Sequence, residues 1–593
     1  MASPARTGLR KAIASTSKQS PIRLSRRAIS RTIQRPETQY AVQHRPWRRI
    51  PHEGRARWHS TAPAEPTAPS IVPEILREDT YDIVIIGAGN AGLALACTLL
   101  SKPAVMRDDT RILLVEGGSL DRVRSWTGHG EWENRVSSLT AENVQFLKDI
   151  GAWEYIEESR SCPISDIIVW TSSTASSSSQ IHFPQPAGSA DPMARMTENT
   201  NLQRAFLRKI EHDGRGRVVI AERSKVEEMR MDEGGRSVAL RCGGDRWVRG
   251  GVVVGADGYN SPVRAFSQIE SFGHAYDTHA VVATLRHSAI DNRTAFQRFL
   301  PSGPIAFLPL GRDATTMVWS TSPALASAYK ALGAERLTTM VNLGFFMDEP
   351  GLAEVNAQVL AAQERGTTVD ASTLDAKWND VLMSLTAEQA KSLPPPIASI
   401  SPTSIASFPL KLSHAESYIG DRTVLVGDAA HTVHPLAGQG LNMGLADVKV
   451  LGEVWESVRQ QGGDLGAYTS LLPYTRERYP ANHLLLSATD KLHYLFGTRI
   501  PLVSWVRSVG MDIINEVGPL KQIFMGRVGA SASGTSTSTT DGPARRNGKS
   551  AYERVADGMD GWRNARMVAG MAASAGGEIV KGGARQLLER LAK

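Results

Sequence analysis

Residues 81–100 read YDIVIIGAGNAGLALACTLL, and this stretch constrains the fold more tightly than any other. Asp82 to Ile86 is a short apolar run with β-branched residues, the pattern of a buried parallel strand. Gly87, Gly89 and Gly92 form GxGxxG directly after it, and Leu93 to Ala96 favour a helix. A strand, a tight glycine turn and a helix in that order place free N–H groups and a positive dipole end beside a pyrophosphate. Gly87 then makes the turn, Gly89 lets the backbone approach the phosphates, and Gly92 lets the helix pack on the strand. A second apolar run, Arg111 to Val115, ends in Glu116, 24 residues past Gly92, where a ribose-binding carboxylate is expected. An acid there favours a free 2′-hydroxyl, hence FAD or NAD over NADP.

Two later motifs decide between those cofactors. Residues 251–264 read GVVVGADGYNSPVR: an apolar strand runs into Gly255-Ala256-Asp257-Gly258, with Ser261 and Arg264 beyond. Residues 423–447 read TVLVGDAAHTVHPLAGQGLNMGLAD: another strand runs into Gly427-Asp428, then a loop bearing Gly438, Gly440 and Gly444. A helix follows, with Leu441, Leu445, Val448, Leu451 and Trp455 at helical spacing. A strand ending in Gly-Asp sets a carboxylate at the carboxyl edge of a parallel sheet, where ligands sit. That carboxylate suits ribityl hydroxyls. The Gly438–Asn442 loop suits a flavin's pyrimidine edge, and the positive end of the helix behind it favours an anionic reduced flavin. The pattern points to FAD.

Charge separates an address from a body. Residues 1–60 carry twelve Arg and two Lys against Glu37 and Glu53, a balance of +12, so the remainder of a chain of net +7 stands at −5. A mildly acidic body is the wrong sign for nucleic-acid binding. The Arg- and Ser-rich, acid-poor leader has the composition of a mitochondrial transit peptide, with a cleavage region near Trp58 to Ser60. Residues 61–77 read as a Pro-rich linker. Cys97, Cys162 and Cys242 lie too far apart for a disulfide scaffold or a CxxC zinc site. His431 and His434 are an i, i+3 pair without a third ligand at useful spacing, so no metal is expected.

The three motifs together resemble the FAD-dependent aromatic-ring monooxygenases related to para-hydroxybenzoate hydroxylase. Within that family, HPLAGQGLN (434–442), ENRVSSL (133–139) and FQRFLPSGPIAFLP (296–309) are similar to the ubiquinone-biosynthesis hydroxylases, and over roughly residues 80–525 the chain resembles their mitochondrial members. The resemblance implies FAD contacts at Gly87, Gly89, Gly92, Glu116, Arg135, Gln203, Asp257, Gly258, Asp428, Gly438, Gly440, Leu441 and Asn442, with Ser261 and Arg264 bracing their turn. It implies that reduced FAD and O2 form a flavin hydroperoxide, which hydroxylates position 5 of the ring of a polyprenylated hydroxybenzoate or phenol. The cofactor carries that chemistry, so no catalytic triad is required. His434, before Pro435, either shapes the loop by the flavin or serves as a proton relay, and Arg298 faces either a phenolate or a sheet edge it braces. Phe296, Phe299 and Phe307 are expected in the core. The alternatives are an FAD hydroxylase of a small soluble phenol and a non-catalytic FAD-bearing scaffold.

The expected fold is α/β. A discontinuous Rossmann-like FAD-binding domain spans 78–155, 190–265 and 405–460, because Gly87 and Asp428 lie 341 residues apart yet share one cofactor. An antiparallel-sheet substrate domain occupies 266–404 with helical insertions near 333–390. A helical C-terminal region spans 461–527, and 528–593 is a low-complexity linker and tail. Thr171 to Ser179 reads as a surface loop. Only one dinucleotide fingerprint is present, and the mitochondrial relatives imply a ferredoxin and its reductase as electron donor. They also imply a complex of other quinone-biosynthesis proteins. The apolar and basic residues of 484–525 either pack against the FAD-binding domain or suit peripheral attachment to the matrix face of the inner membrane.

Overall fold

The computed structural model describes residues 48–50, 75–107, 110–171, 180–185, 191–289, 291–433 and 438–497. The leader beyond 48–50, the Ser/Thr-rich loop at 172–179, His434 and everything after 497 lie outside the described residues.

The first sheet is built on the strand Thr80–Ile86, flanked in parallel by Ile112–Val115 and by Arg246–Gly255. Ile112–Val115 pairs in parallel with Val218–Ala221. Arg246–Gly255 pairs in parallel with Thr423–Leu425, so the third motif joins the sheet beside the second. Ile83, Val84, Ile85, Val252, Val253 and Val254 are wholly inaccessible. That is the reason these runs are apolar without alternation: both faces of the parallel sheet are covered. The helix Asn90–Leu100 covers one face, and the helices Asn199–Asp213 and Gly440–Gln460 pack against it.

The second sheet is mainly antiparallel. Its order runs His431–Thr432, Ala406–Ala415, Ser271–His287, Ala314–Thr321, Gly303–Pro309, Thr294–Leu300, Asp166–Trp170, Gln180–Pro184. The four central strands were legible from alternation. Two memberships correct the expected boundaries. Ala406–Ala415, grouped above with the FAD-binding segments, pairs with Ser271–His287 in this sheet. Asp166–Trp170, left outside both groups, joins Thr294–Leu300 in parallel.

The strands' two-residue period divides this sheet into unlike faces. Phe296, Leu300, Ile305, Phe307, Met317 and Trp319 form one core with the helices Pro323–Ala331, Gly333–Phe346 and Glu349–Glu364. Phe296 meets Phe307 edge-on at 5.9 Å, and both are core residues as expected. Phe299, expected with them, is half-buried and lies outside that core. The opposite face contributes Ala280, Leu410, Leu412 and Val318 to a smaller apolar cluster. Tyr276, Met443, Leu486, Val433 and Leu485 complete it. Leu485 and Leu486 of the segment 484–525 thus pack inward, while Leu484 is exposed. Among the described residues no helix is long and apolar enough to cross a membrane.

The helix Gly333–Phe346 lies so close to the sheet that a Cβ at Gly344 would stand 2.8 Å from the Trp319 ring. Gly344→Ala is expected to destabilise the protein by about 1–3 kcal/mol through overpacking. Chemical denaturation checks this, and the affinity for FAD should not change.

Candidate functional site

The glycines of the first motif are fixed by close approach. Gly87 has φ +104°, and a Cβ there would stand 2.4 Å from the Ala256 carbonyl oxygen. A Cβ on Gly92 would stand 1.9 Å from the carbonyl oxygen of Gly87. Gly89 and Gly258 (φ +82°) are different: a Cβ on either would meet nothing within 4 Å. These two glycines therefore border open space at the carboxyl edge of adjacent strands, where a cofactor's backbone contacts belong. The helix Asn90–Leu100 has no side-chain cap on its N-terminus. The side-chain oxygens Asn90 Oδ1 and Asp257 Oδ1 are buried there without a partner. An uncapped helix start, room beside two glycines and two orphaned acceptors fit a ligand carrying both phosphate and hydroxyl groups.

Glu116 stands at the end of its strand as expected, and its carboxylate holds the glycine loop. Oε2 accepts from the Ala88 N–H at 2.8 Å and Oε1 from the Gly118 N–H at 2.7 Å. Asp257 accepts from the Val263 N–H at 3.1 Å, and burial pushes its carboxyl up to about 6 against the pull of Ser261, Val263 and Arg264. Ser261 caps the short helix that follows, accepting from the Arg264 N–H at 2.9 Å. Arg264 donates to the carbonyl oxygens of Ala429 and Tyr259, both at 2.6 Å, and so ties the second motif to the third. Bracing is what these two residues do. Arg135 is exposed, and its carbonyl accepts from Asn199 at the start of the helix that carries half-buried Gln203 one turn on.

Asp428 lies in a one-turn helix, Gly427–Ala429, directly after the strand Thr423–Leu425. Its side chain is open to solvent yet closely surrounded by protein, as on the floor of a groove. Desolvation there raises its carboxyl above the usual range, and the neighbouring His431 pulls it back. The turn is pressed against both helices: a Cβ on Gly427 would stand 3.2 Å from Ala91, and one on Gly444 would stand 3.3 Å from Gly427. Gly438 has φ +58°, and Gly440 opens the helix Gly440–Gln460, whose N-terminus has no side-chain cap. Leu441 is half-buried in its first turn. Asn442 is committed elsewhere: its amide donates to Ser138 O at 2.7 Å, and its Oδ1 accepts from Thr140 N–H and Asn143 Nδ2 at 3.1 and 2.8 Å. It clamps the strand Val136–Thr140 to the helix start.

Arg298 is the clear correction. It is fully buried, and its guanidinium donates to Gly344 O at 2.9 Å and Met347 O at 2.8 Å, capping the helix Gly333–Phe346 on the face away from the Gly438–Asn442 loop. Burial lowers its pKa to about 10. The substrate-facing reading falls. The strand period held the signal, since Phe296, Arg298 and Leu300 share one face.

Sequence reasoning missed Asp447, a helix residue with no accessible surface. Its Oδ2 accepts from the Gly427 N–H at 3.1 Å and His431 Nε2 at 2.6 Å. Its Oδ1 accepts from Arg478 Nε at 2.9 Å and Asn482 Nδ2 at 3.0 Å. Burial would raise this carboxyl, yet His431 and Arg478 outweigh it and hold it down at about 2. His431 is thus taken up by a carboxylate. Asn482 also donates to Tyr418 Oη at 3.1 Å, which lies 2.8 Å from His414 Nε2.

The motifs define an FAD-binding α/β flavoprotein, and the comparisons agree. A family model described as an FAD binding domain matches residues 80–488, and the chain belongs to that family. It is an FAD-dependent monooxygenase of the group that includes the ubiquinone biosynthesis monooxygenases. The mitochondrial COQ6 enzyme of that name from Schizosaccharomyces pombe is 34% identical over 76% of this chain and 91% of its own length. The Homo sapiens counterpart is 34% identical over 76% and 92%, and that of Saccharomyces cerevisiae 32% over 78% and 95%. Among solved structures, p-nitrophenol 4-monooxygenase PnpA from Pseudomonas putida has a TM-score of 0.53 at 14% identity, covering 77% of this chain and all of that one. PqsL, a probable FAD-dependent monooxygenase from Pseudomonas aeruginosa, has a TM-score of 0.52 at 19% identity, covering 73% and 99%. Both share the fold.

Burial, with His431 and His483 beside it, depresses His414 from 6.5 to about 3. The unfolded chain therefore binds a proton that the folded chain excludes between those values. The stability this neutral imidazole contributes is complete above about pH 6.5 and is lost as pH falls toward 3. His414→Gln, which keeps an amide near Tyr418, is expected to lose less melting temperature than the parent between pH 6.5 and pH 4.5. Thermal melts at both values check this.

Proposed function

We propose that this chain hydroxylates position 5 of the aromatic ring of a polyprenylated hydroxybenzoate or phenol intermediate of ubiquinone biosynthesis. The observation that carries the reading is the apolar cluster that joins the second sheet to the helix Gly440–Gln460. Met443 of that helix and Val433 pack with Ala280, Val318 and Leu412 of the second sheet, so apolar side chains stand beside the loop expected to frame the flavin. The names of the mitochondrial relatives support the pathway.

Bound FAD would supply the oxygen-activating redox chemistry. The chain's own residues bind and orient it. Gly87, Gly89, Gly92 and Glu116 frame the ADP half, with Arg135 and Gln203 at its edge, and Asp257 and Gly258 lie beside the pyrophosphate. Asp428 would accept from ribityl hydroxyls. The N–H groups of Gly438, Gly440, Leu441 and Asn442 would hold the isoalloxazine, and the positive end of their helix would stabilise negative charge on it. The apolar residues of the second sheet exclude water from the reacting centre. The proposed setting is the matrix face of the mitochondrial inner membrane, with a ferredoxin and its reductase as donor and other quinone-biosynthesis proteins as neighbours.

The test is turnover of the purified mature protein with a prenylated hydroxybenzoate precursor and O2, comparing NADPH alone with a ferredoxin system. A ring-hydroxylated product at position 5, formed with the ferredoxin system, is expected. Hydroxylation only of small soluble phenols would overturn the substrate assignment, and NADPH alone sufficing would overturn the donor.

Glu116→Gln tests the ADP half independently. The loop-holding bonds to two N–H groups then meet a neutral oxygen and an amide donor, and FAD affinity is expected to fall about tenfold, from weakened charge-assisted bonds. Fluorescence titration of the flavin-free protein checks it.

A further inference from the structure

We infer that Asp447 and His431 are positioning residues for Asp428, gripping its turn at both ends from the buried side. The inference rests on the assignment of Asp428 to the ribityl chain. Asp428 stands between Gly427 and His431 in the sequence, and a single oxygen of Asp447 takes a hydrogen bond from each of them, at 3.1 Å and 2.6 Å. The turn cannot drift without breaking one of these bonds. Its backbone is already restricted, since Gly427 has φ +59° and lies against Ala91 and Gly444.

The grip is itself anchored. The second oxygen of Asp447 is held by Arg478 and Asn482 of the helix Tyr468–Gly497, at 2.9 Å and 3.0 Å. Two oxygens thus receive four donors, two from the turn and two from that helix. Asp447 belongs to the helix Gly440–Gln460, whose first turn frames the expected isoalloxazine site. One carboxylate therefore sets the distance between the ribityl turn and the flavin loop. His431 is wholly buried, and its Nδ1 has no partner, so its bond to Asp447 fixes the ring's orientation. Its effect on Asp428 is electrostatic as well: it opposes the burial that disfavours the ionised carboxyl.

A double-mutant cycle on FAD affinity tests this. Dissociation constants are measured by fluorescence titration of flavin-free full-length chain for the parent, Asp428→Asn, His431→Leu and the double variant, with melting temperatures alongside. Each single change is expected to weaken FAD about tenfold, and the double variant is expected to be little worse than the weaker single, because both act on one interaction. If Asp428→Asn leaves affinity unchanged, the ribityl assignment fails. If Asp428→Asn weakens FAD while His431→Leu lowers only the melting temperature, or the two effects multiply, the positioning role fails and the ribityl assignment stands. Asn482→Ala supplies a gentler probe should His431→Leu not fold. It removes one bond to Asp447 and is expected to weaken FAD severalfold, again non-additively with Asp428→Asn. Unchanged affinity in Asn482→Ala, or additivity with Asp428→Asn, would overturn the inference by the same logic.

Discussion

A carboxylate without any accessible surface holds this molecule's parts in register. An isolated buried charge is prohibitive, and a buried charge with all its lone pairs filled is tolerated but cannot lose a partner cheaply; breaking such a pair typically costs about 3–5 kcal/mol. Asp447 is therefore an all-or-none device. Its four donors come from the turn after the strand Thr423–Leu425, from His431 at the edge of the second sheet, and from the helix Tyr468–Gly497. Placing it requires both sheets and both late helices to be in position together.

The second sheet shows how one element serves two purposes. Its helix-covered face is a conventional core of Phe, Trp, Met and Ile, capped by the Arg298 guanidinium on two helix-end carbonyls. Its other face meets the flavin-loop helix through smaller side chains, Ala280 and Val318 among them. The loop 126–134 fastens this sheet to the neighbouring strand Ala194–Glu198. Arg160 forms a bidentate bond to Glu198 and stacks 3.9 Å over Trp132, while Asn134 and Glu131 reach Ser404, Ser401 and Thr403.

What the sequence made legible was local. GxGxxG, the Gly-Asp strand ends and the helix after Gly440 each need only a few adjacent residues, and all form as read. The central strands of the second sheet were visible through alternation. What stayed hidden depends on distant partners. Asp447 reads as one more polar residue on an amphipathic helix, and Arg478 and Asn482, 31 and 35 residues further on, carry no motif. Ala406–Ala415 was misassigned because strand pairing, unlike strand formation, is decided by the neighbour. Glu116 was found by spacing, but its grip on the Ala88 and Gly118 N–H groups was not, since backbone donors leave no trace in side-chain identity.

The strand Arg246–Gly255 pairs on one side with residues near 80 and on the other with residues near 424. Closing that sheet joins segments separated by most of the domain, and non-local pairings of this kind are the slow step of folding. The first βα unit cannot complete the cofactor cradle by itself, since Arg264 must reach Ala429 and Gly427 must seat against Ala91 and Gly444. A chain emerging from its amino end therefore carries a half-built nucleotide site through synthesis, while Val253 waits for Thr423, 170 residues further on, to pair beside it. Chaperone demand and cofactor supply meet at the same late moment, when the last parallel strand arrives.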